Sequence, residues 1–344
     1  MPGAPEVTLL WKWWYTCGMS KYRIAVLRGG PSEEHEVSLK TGAALLRALS
    51  EGLSHERVTP LDVTITRAGE WTIDGRRHMP EQILQHVDGV IIGLHGAYGE
   101  DGKVQRVLER HGVPFTGSGS YSSAIAMHKG ITKDHLREHP ILLAPHMLVS
   151  RSSKEQVHAV SEGIAALFGP RYVIKPVRSG SSHGVRTATR AELPRALAEA
   201  LETYDQVIVE KQIEGTEATV GVIEHFRDEP LYVLPPIEII PAKERAFFDY
   251  EAKYNGASEE ICPGRFDEAT KQQLMELARL VHTELGLAHY SRSDFIVASD
   301  GIYFLEVNTL PGLTESSLVP RALEAVGSSL PAFADHLVTQ LVGK

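Results

Sequence analysis

The sequence predicts a mixed α/β chain in three units, the first built on a parallel sheet. Three observations carry that prediction. From Tyr22 onward, apolar strand-like runs alternate with helical stretches, the signature of βα units. Glycine-rich turns directly follow two of those strands, at Gly29-Gly30-Pro31 and at His95-Gly96 with Gly99, where open α/β sheets bind ligands. Near the C-terminus, two apolar runs flank the turn signal Ser299-Asp300-Gly301 and carry acids at matching distances from it.

Residues 1–20 differ in character, with Trp11, Trp13 and Trp14 crowded into a short apolar run before Met19. A secretory signal needs basic residues before its apolar stretch. The first 11 residues have no Lys or Arg and Lys12 interrupts the run, so this reads as an appended tail outside the fold, with Met19 an equally good start. The first unit, 21–118, holds strands at 23–27 and within 87–94 and helices at 37–49 and 101–110. Gly117-Ser-Gly119 marks a break. The second unit, 119–210, begins with a helix-compatible stretch over 122–138, punctuated by Pro140 and Pro145. It continues with strand 172–175, a Gly/Ser loop at 179–184, helix 193–204 and strand 207–210. The third unit, 211–344, contains several strands, a long helix over 267–285, the acidic hairpin and two closing helices. No solenoid repeat and no low-complexity segment interrupts this plan.

The hairpin has a chemical consequence. Closing it with Ala298 opposite Ile302 sets Asp294 directly opposite Glu306, roughly 5 Å apart at Cβ, where like charges destabilise. Glu306 and Asn308 share a strand face because side chains alternate. Three oxygen donors on one patch suit Mg²⁺ or Mn²⁺, which take a few carboxylates plus phosphate oxygens. Spacing alone leaves the alternative of ordinary solvated acids on a hairpin edge.

Composition sets further bounds. With 35 basic against 44 acidic residues, the chain carries no electrostatic footprint for nucleic acid, although local nucleotide binding remains compatible. Cys17 and Cys262 are too few for a disulfide framework or a structural zinc site, which fits a reducing compartment. No run of 18 or more apolar residues predicts a membrane span.

Lys175-Pro-Val-Arg-Ser-Gly-Ser-Ser-His-Gly184 follows a strand, and its glycines and serines offer backbone N–H groups able to wrap an anion. It is not a Walker A loop, and Gly29-Gly30 lacks the third glycine of the dinucleotide pattern. Lys129 and Lys175 are candidate phosphate ligands as point charges. Standing alone, the loop would be an ordinary flexible connection and the lysines merely solvated.

Taken in order, Gly29-Gly-Pro-Ser-Glu-Glu-His-Glu-Val-Ser38, His95-Gly-Ala-Tyr-Gly-Glu-Asp-Gly102, Thr116-Gly-Ser-Gly119, Lys175-Pro with Gly180-Ser-Ser182, Glu210-Lys211, Asp249-Tyr-Glu-Ala-Lys-Tyr254 and Glu306-Val-Asn-Thr-Leu-Pro-Gly312 with Ser317-Leu318 resemble the D-alanine–D-alanine ligases of the ATP-grasp superfamily. The likeness runs from Tyr22 to about Leu341. It implies a three-domain ATP-grasp fold with ATP held between the central and C-terminal units. By this resemblance Lys129 and Lys175 contact phosphates, Ser182 and Lys253 join the nucleotide site, Glu210, Lys211 and Ile213 border adenine, and Glu217 binds ribose. Asp294, Glu306 and Asn308 become the ligands of two Mg²⁺ (or Mn²⁺) ions. The implied reaction joins two D-alanines through a D-alanyl phosphate. Glu34 would hold the first ammonium, with Ser181 and Tyr254 bonding to it to close a lid, and His95 beside the first substrate. Arg292 and the Gly312 N–H resemble the family's oxyanion site, while Ser317 and the Leu318 N–H would take the second carboxylate. The family also implies a cytoplasmic homodimer that feeds peptidoglycan synthesis.

Each assignment has a plainer rival: Glu34 as a helix-dipole partner, Tyr254 as a core aromatic, His95 as a turn residue. Within the family, tyrosine at 254 accompanies amide rather than D-lactate ester formation, which leaves D-serine open as second substrate. A further alternative is a silent nucleotide-binding module, against which the intact Lys175, Arg292, Asp294, Glu306 and Asn308 argue. Departures from the family pattern are Phe248 for tyrosine, Ser291 for glycine, His128 for an acid before Lys129, and His183 inside the loop.

Overall fold

Ile24, Ala25, Val26 and Leu27 are buried without interruption, as a strand covered on both faces requires. The computed structural model describes residues 21–180, 184–240 and 259–343. Its first unit runs β1 (Tyr22–Gly29), α1 (His35–Glu51), β2 (Val58–Ile65), β3 (Trp71–Ile73), β4 (Arg76–His78), α2 (Pro80–Leu84), β5 (Gly89–Ile92) and α3 (Lys103–His111). The strand order is β4-β3-β2-β1-β5. β1 pairs in parallel with β2 and β5, as the βα alternation predicts, whereas the edge hairpin β3–β4 adds antiparallel pairs. α1 buries Val37, Thr41, Ala44, Leu45, Ala48 and Leu49, a helical stripe facing the sheet.

The expected helix over 122–138 is two helices, α4 (Ser120–Met127) and α5 (Lys129–Leu136). His128 breaks them with extended backbone, and its Nδ1 accepts the Ile131 N–H at 3.2 Å as the cap of α5. Periodicity alone did not show that break, because histidine is an uncommon cap. β6 (Leu142–Leu143) follows, then the central unit: β7 (His146–Ser150), α6 (Val157–Phe168), β8 (Arg171–Pro176), β9 (Arg186–Thr189), α7 (Leu193–Thr203) and β10 (Gln206–Lys211). Its sheet, ordered β7-β10-β8-β9, is antiparallel and packs on α6 and α7 around Ile164, Tyr172, Leu197 and Val207.

The last unit holds β11 (Thr216–Glu224), β12 (Leu231–Val233), β13 (Ile237–Ile240), β14 (Glu259–Ile261), α8 (Glu268–Glu284), β15 (Tyr290–Ala298), β16 (Gly301–Asn308), α9 (Leu318–Ala325) and α10 (Leu330–Val342). Its sheet is ordered β14-β13-β11-β15-β16-β6, with β12 beside β11. α8 starts where the Asp267 carboxylate accepts the Thr270 N–H at 2.8 Å, and buries Leu274, Leu277, Ala278 and Val281 under the sheet. α10 packs Phe333, Leu337, Val338 and Leu341 into the same core as β1 and α1, tying the C-terminus to the first unit.

The acidic hairpin differs in one detail from its expected register. The turn is one residue tighter, with Ala298 opposite Gly301, so the predicted Ala298–Ile302 pairing does not form. A bulge between the Phe295–Phe304 and Asp294–Glu306 pairs takes up Leu305, and Asp294 still lies opposite Glu306.

Candidate active site

The bulge, the break at His128 and the loop after β8 converge on one cleft, lined by Glu100, Lys129, Ser179, Gly180, Glu306 and Asn308 among others. Lys129 stands at the start of α5 because His128 ends the preceding helix. Its ammonium donates to Ser179 O at 2.7 Å and lies 3.0 Å from Glu306 Oε2. Asp294 accepts the Arg292 guanidinium on both oxygens, at 2.9 and 3.0 Å, the Thr219 hydroxyl at 2.5 Å and the Asn308 amide at 3.2 Å. Each opposed acid therefore has a basic partner, and their facing arrangement by itself does not require a metal. The donor set nevertheless fits one. Two carboxylates and an amide oxygen on adjacent strands, beside a lysine and a Ser/Gly loop, match a cation that completes its shell with phosphate oxygens. Among the described residues no cluster of three or more His, Cys, Asp and Glu forms an all-protein cage.

Behind this face lies a buried ionic chain. Lys175 Nζ is 2.7 Å from Glu210 Oε2, and Lys133 Nζ is 2.8 Å from Glu210 Oε1. Burial alone would raise the Glu210 carboxyl, but Lys133 and Lys175 outweigh it and hold it at about 2. Burial likewise opposes the charge on Lys175, yet Glu210 and Glu306 win and raise it. Lys133 is lowered by burial, with Glu210 resisting. Further along, Lys211 and Ile213 line a groove of about 410 Å³ with Arg171, Asp300 and Tyr303. Glu217 is half-buried on β11 opposite Ile239 and Ile296.

The first unit closes the other side. Glu34 precedes α1 but its side chain does not cap it. Its carboxylate faces two glycines instead: a carbon built on Gly96 would sit 2.3 Å from Glu34 Oε2, and one on Gly180 would sit 2.9 Å away. Gly96 also has a φ of +66°, which glycine tolerates best. His95 is buried, with Nδ1 on Leu310 O at 2.9 Å and Nε2 on Thr41 Oγ1 at 2.8 Å. Burial lowers its pKa despite Glu34, so the imidazole is held neutral. Glu100, to which the motif reading gave no role, accepts the Gly96 N–H at 2.8 Å and the Leu310 N–H at 3.0 Å. Burial and the Glu34 charge push its carboxyl up to about 7.

Leu310 leads into the loop that carries Gly312, whose backbone packs against Ser317. Ser317 Oγ bonds Thr314 Oγ1 at 2.8 Å and accepts the Thr314 N–H at 3.1 Å, while Leu318 begins α9 with its N–H at the helix start. Ser181, Ser182, Lys253 and Tyr254 lie outside the described residues, as do Phe248 and His183.

Comparison with known proteins places the whole chain. The family model for the D-ala D-ala ligase C-terminus matches residues 136–341, and that for the N-terminus matches 74–118. A D-alanine–D-alanine ligase of Geobacter sulfurreducens is 40% identical over 321 residues, covering 92% of this chain and 93% of its own length. The chain belongs to the D-alanine–D-alanine ligase family. A second relative of the same name, from Syntrophobacter fumaroxidans, is 37% identical over 327 residues, covering 92% and 97%. Among solved structures, the VanG D-Ala:D-Ser ligase of Enterococcus faecalis is 31% identical with a TM-score of 0.79, covering 94% of this chain and 100% of its own. The D-alanyl-alanine synthetase A of Vibrio cholerae is 26% identical with a TM-score of 0.81, covering 95% and 100%. The mixed α/β architecture is thus the ATP-grasp fold of these ligases.

Within the family frame, two departures acquire a structural account. His128 supplies the cap that an acid would otherwise supply, and burial, followed by Arg178, lowers its pKa and so keeps the accepting nitrogen neutral. Ser291 points away from the cleft and bonds His282 Nδ1 at 2.8 Å in the core, leaving Arg292 on the open face. Sequence reasoning missed Glu100, Lys133 and Thr219. Lys133 left a signal, since it stands four residues after Lys129 on one helix face.

Proposed function

We propose that this ligase joins two D-alanines to D-alanyl-D-alanine with ATP, forming ADP and phosphate through a D-alanyl phosphate. The observation that carries it is the convergence, in one cleft, of Lys129 and the Ser179-Gly180 loop with Glu306 and Asn308, while Glu34 faces the same loop from the first unit. Glu34 would hold the first ammonium, with Ser181 and Tyr254 as its lid partners. A carboxylate oxygen of that D-alanine attacks the γ-phosphorus, and the bond to ADP breaks. Lys129 and Lys175 offset the charge on the phosphates. The neutral second amine then adds to the acyl carbon, the C–O bond to phosphate breaks, and phosphate departs together with the proton released from the nitrogen. Arg292 and the Gly312 N–H stabilise the tetrahedral oxyanion. Ser317 and the Leu318 N–H orient the second carboxylate at a helix start. Lys211, Ile213, Glu210 and Glu217, with Ser182 and Lys253, hold the nucleotide. Asp294, Glu306 and Asn308 would hold two Mg²⁺ ions, which supply charge neutralisation when bound.

A second substrate of D-serine is a specific rival, because the VanG D-Ala:D-Ser ligase matches nearly the whole chain. The proposed setting is a cytoplasmic homodimer supplying peptidoglycan precursors, on the strength of the family likeness. The deciding experiment measures ADP release with Mg²⁺-ATP and D-alanine alone, with D-serine, with D-lactate, or L-alanine, and identifies products by mass. D-alanyl-D-alanine as the main product supports the reading. A predominant mixed product reassigns the second subsite, and no D-alanine-dependent turnover refutes ligation.

A further inference from the structure

Two lysines share the buried Glu210 carboxylate, and they are not equivalent. Lys133 comes from the inner face of α5 and its side chain is 1% exposed, whereas Lys175 stands on β8 with 12% exposure beside the phosphate loop. Lys175 also feels the pull of Glu306 across the cleft. We infer that Lys133 is a positioning residue, the fixed counter-charge of Glu210, which frees Lys175 to leave that carboxylate for the nucleotide phosphates. The inference rests on the nucleotide roles given above to Glu210 and Lys175.

Lys175 leaves a buried carboxylate behind when it moves to a phosphate. The Glu210 side chain is 3% exposed, so water cannot take over from a departing ammonium. A buried carboxylate stripped of its sole counterion is strongly disfavoured, and it would either take up a proton or hold Lys175 back. With Lys133 2.8 Å away on the other oxygen, neither happens. The Lys133–Glu210 contact is a buried ion pair, so its main contribution is charge. α5 thereby serves the nucleotide site twice, one turn apart: Lys129 at the cleft and Lys133 beneath it.

The test is a double-mutant cycle read by calorimetric binding of Mg²⁺-ATP in the absence of D-alanine. Lys133→Met is expected to weaken ATP binding by about 10- to 100-fold, the range for losing an interaction with a charged group. The KM for D-alanine should stay unchanged. In a Glu210→Gln background the same substitution should weaken ATP binding no further, because no buried carboxylate remains for Lys133 to neutralise. Wild-type ATP affinity in Lys133→Met, or an equal loss in both backgrounds, overturns the inference. Should Lys133→Met not fold, the double variant decides. ATP affinity equal to that of Glu210→Gln alone supports the coupling, and a lower one refutes it. Because the readout is ATP binding, an intact cycle without dipeptide formation upholds this inference while refuting the ligase reading. Failure of the unmodified chain to bind ATP refutes both.

Discussion

Glu306 carries the heaviest load of any single residue in the account. Its carboxylate pairs with Lys129 across the cleft and contributes to the proposed metal set. Glu306→Gln keeps the shape and removes the charge, so turnover should fall by on the order of 100-fold or more with the thermal midpoint nearly unchanged. Near-normal activity in that variant would remove the metal assignment. Glu100 yields a prediction of another kind. Its carboxyl is raised from 4.5 to about 7 in the folded state, so between those values the folded chain binds the extra proton. Its contribution to stability is full below about pH 4.5 and is lost as pH rises to about 7, amounting to about 3 kcal/mol. Urea unfolding of Glu100→Gln between pH 5 and pH 7.5 should show a flatter pH dependence than the wild type; an unchanged slope would mean that Glu100 titrates normally. These residues also show what was legible. Hairpin spacing brought Asp294 opposite Glu306, although through a bulge that the spacing did not show, and strand alternation put Glu306 and Asn308 on one face. Glu100 could not be found from spacing, because its role comes from burial between Gly96 and Leu310, 210 positions apart from the latter.

At the scale of elements, the sequence showed the strands and the long helices well, since Ile24–Leu27 and the α8 stripe follow clean periods. It failed where two local rules competed. The 122–138 stretch looks helical throughout, yet His128 turns out of the helix and caps the next one, which is what places Lys129 at the cleft. Likewise the turn of the β15–β16 hairpin closed one residue early, and only the bulge at Leu305 restored the acid pair. His128→Ala should therefore cost about 1 kcal/mol of stability and raise the KM for ATP, while His128→Asn, another good cap, recovers most of both. Denaturant midpoints together with nucleotide kinetics check this, and an unaltered ATP KM in His128→Ala would detach the cap from function.

At the scale of the whole molecule, the proposed site draws on three sheets. The first unit supplies Glu34, His95 and Glu100, α5 and the central sheet supply Lys129, Lys175 and Glu210, and the last unit supplies Arg292, the oxygen donors and the 310–318 loop. α10 fastens the last unit to the first through a shared core. Among the described residues, no helix is long and apolar enough to cross a membrane. Nucleotide binding at the proposed site should stabilise the fold by mass action, about 2.7 kcal/mol at one hundred times Kd. That increment, read as a rise in the unfolding midpoint with Mg²⁺-ATP, should shrink in Glu306→Gln; an equal rise in both proteins would place the metal elsewhere. In the proposed reaction one D-alanine is activated as an acyl phosphate before the second attacks. The most direct measurement uses D-alanine with an ¹⁸O-labelled carboxylate and follows the label by mass. Each turnover should place one labelled oxygen in inorganic phosphate, with ADP as the nucleotide product. Unlabelled phosphate, or AMP with pyrophosphate, would contradict it.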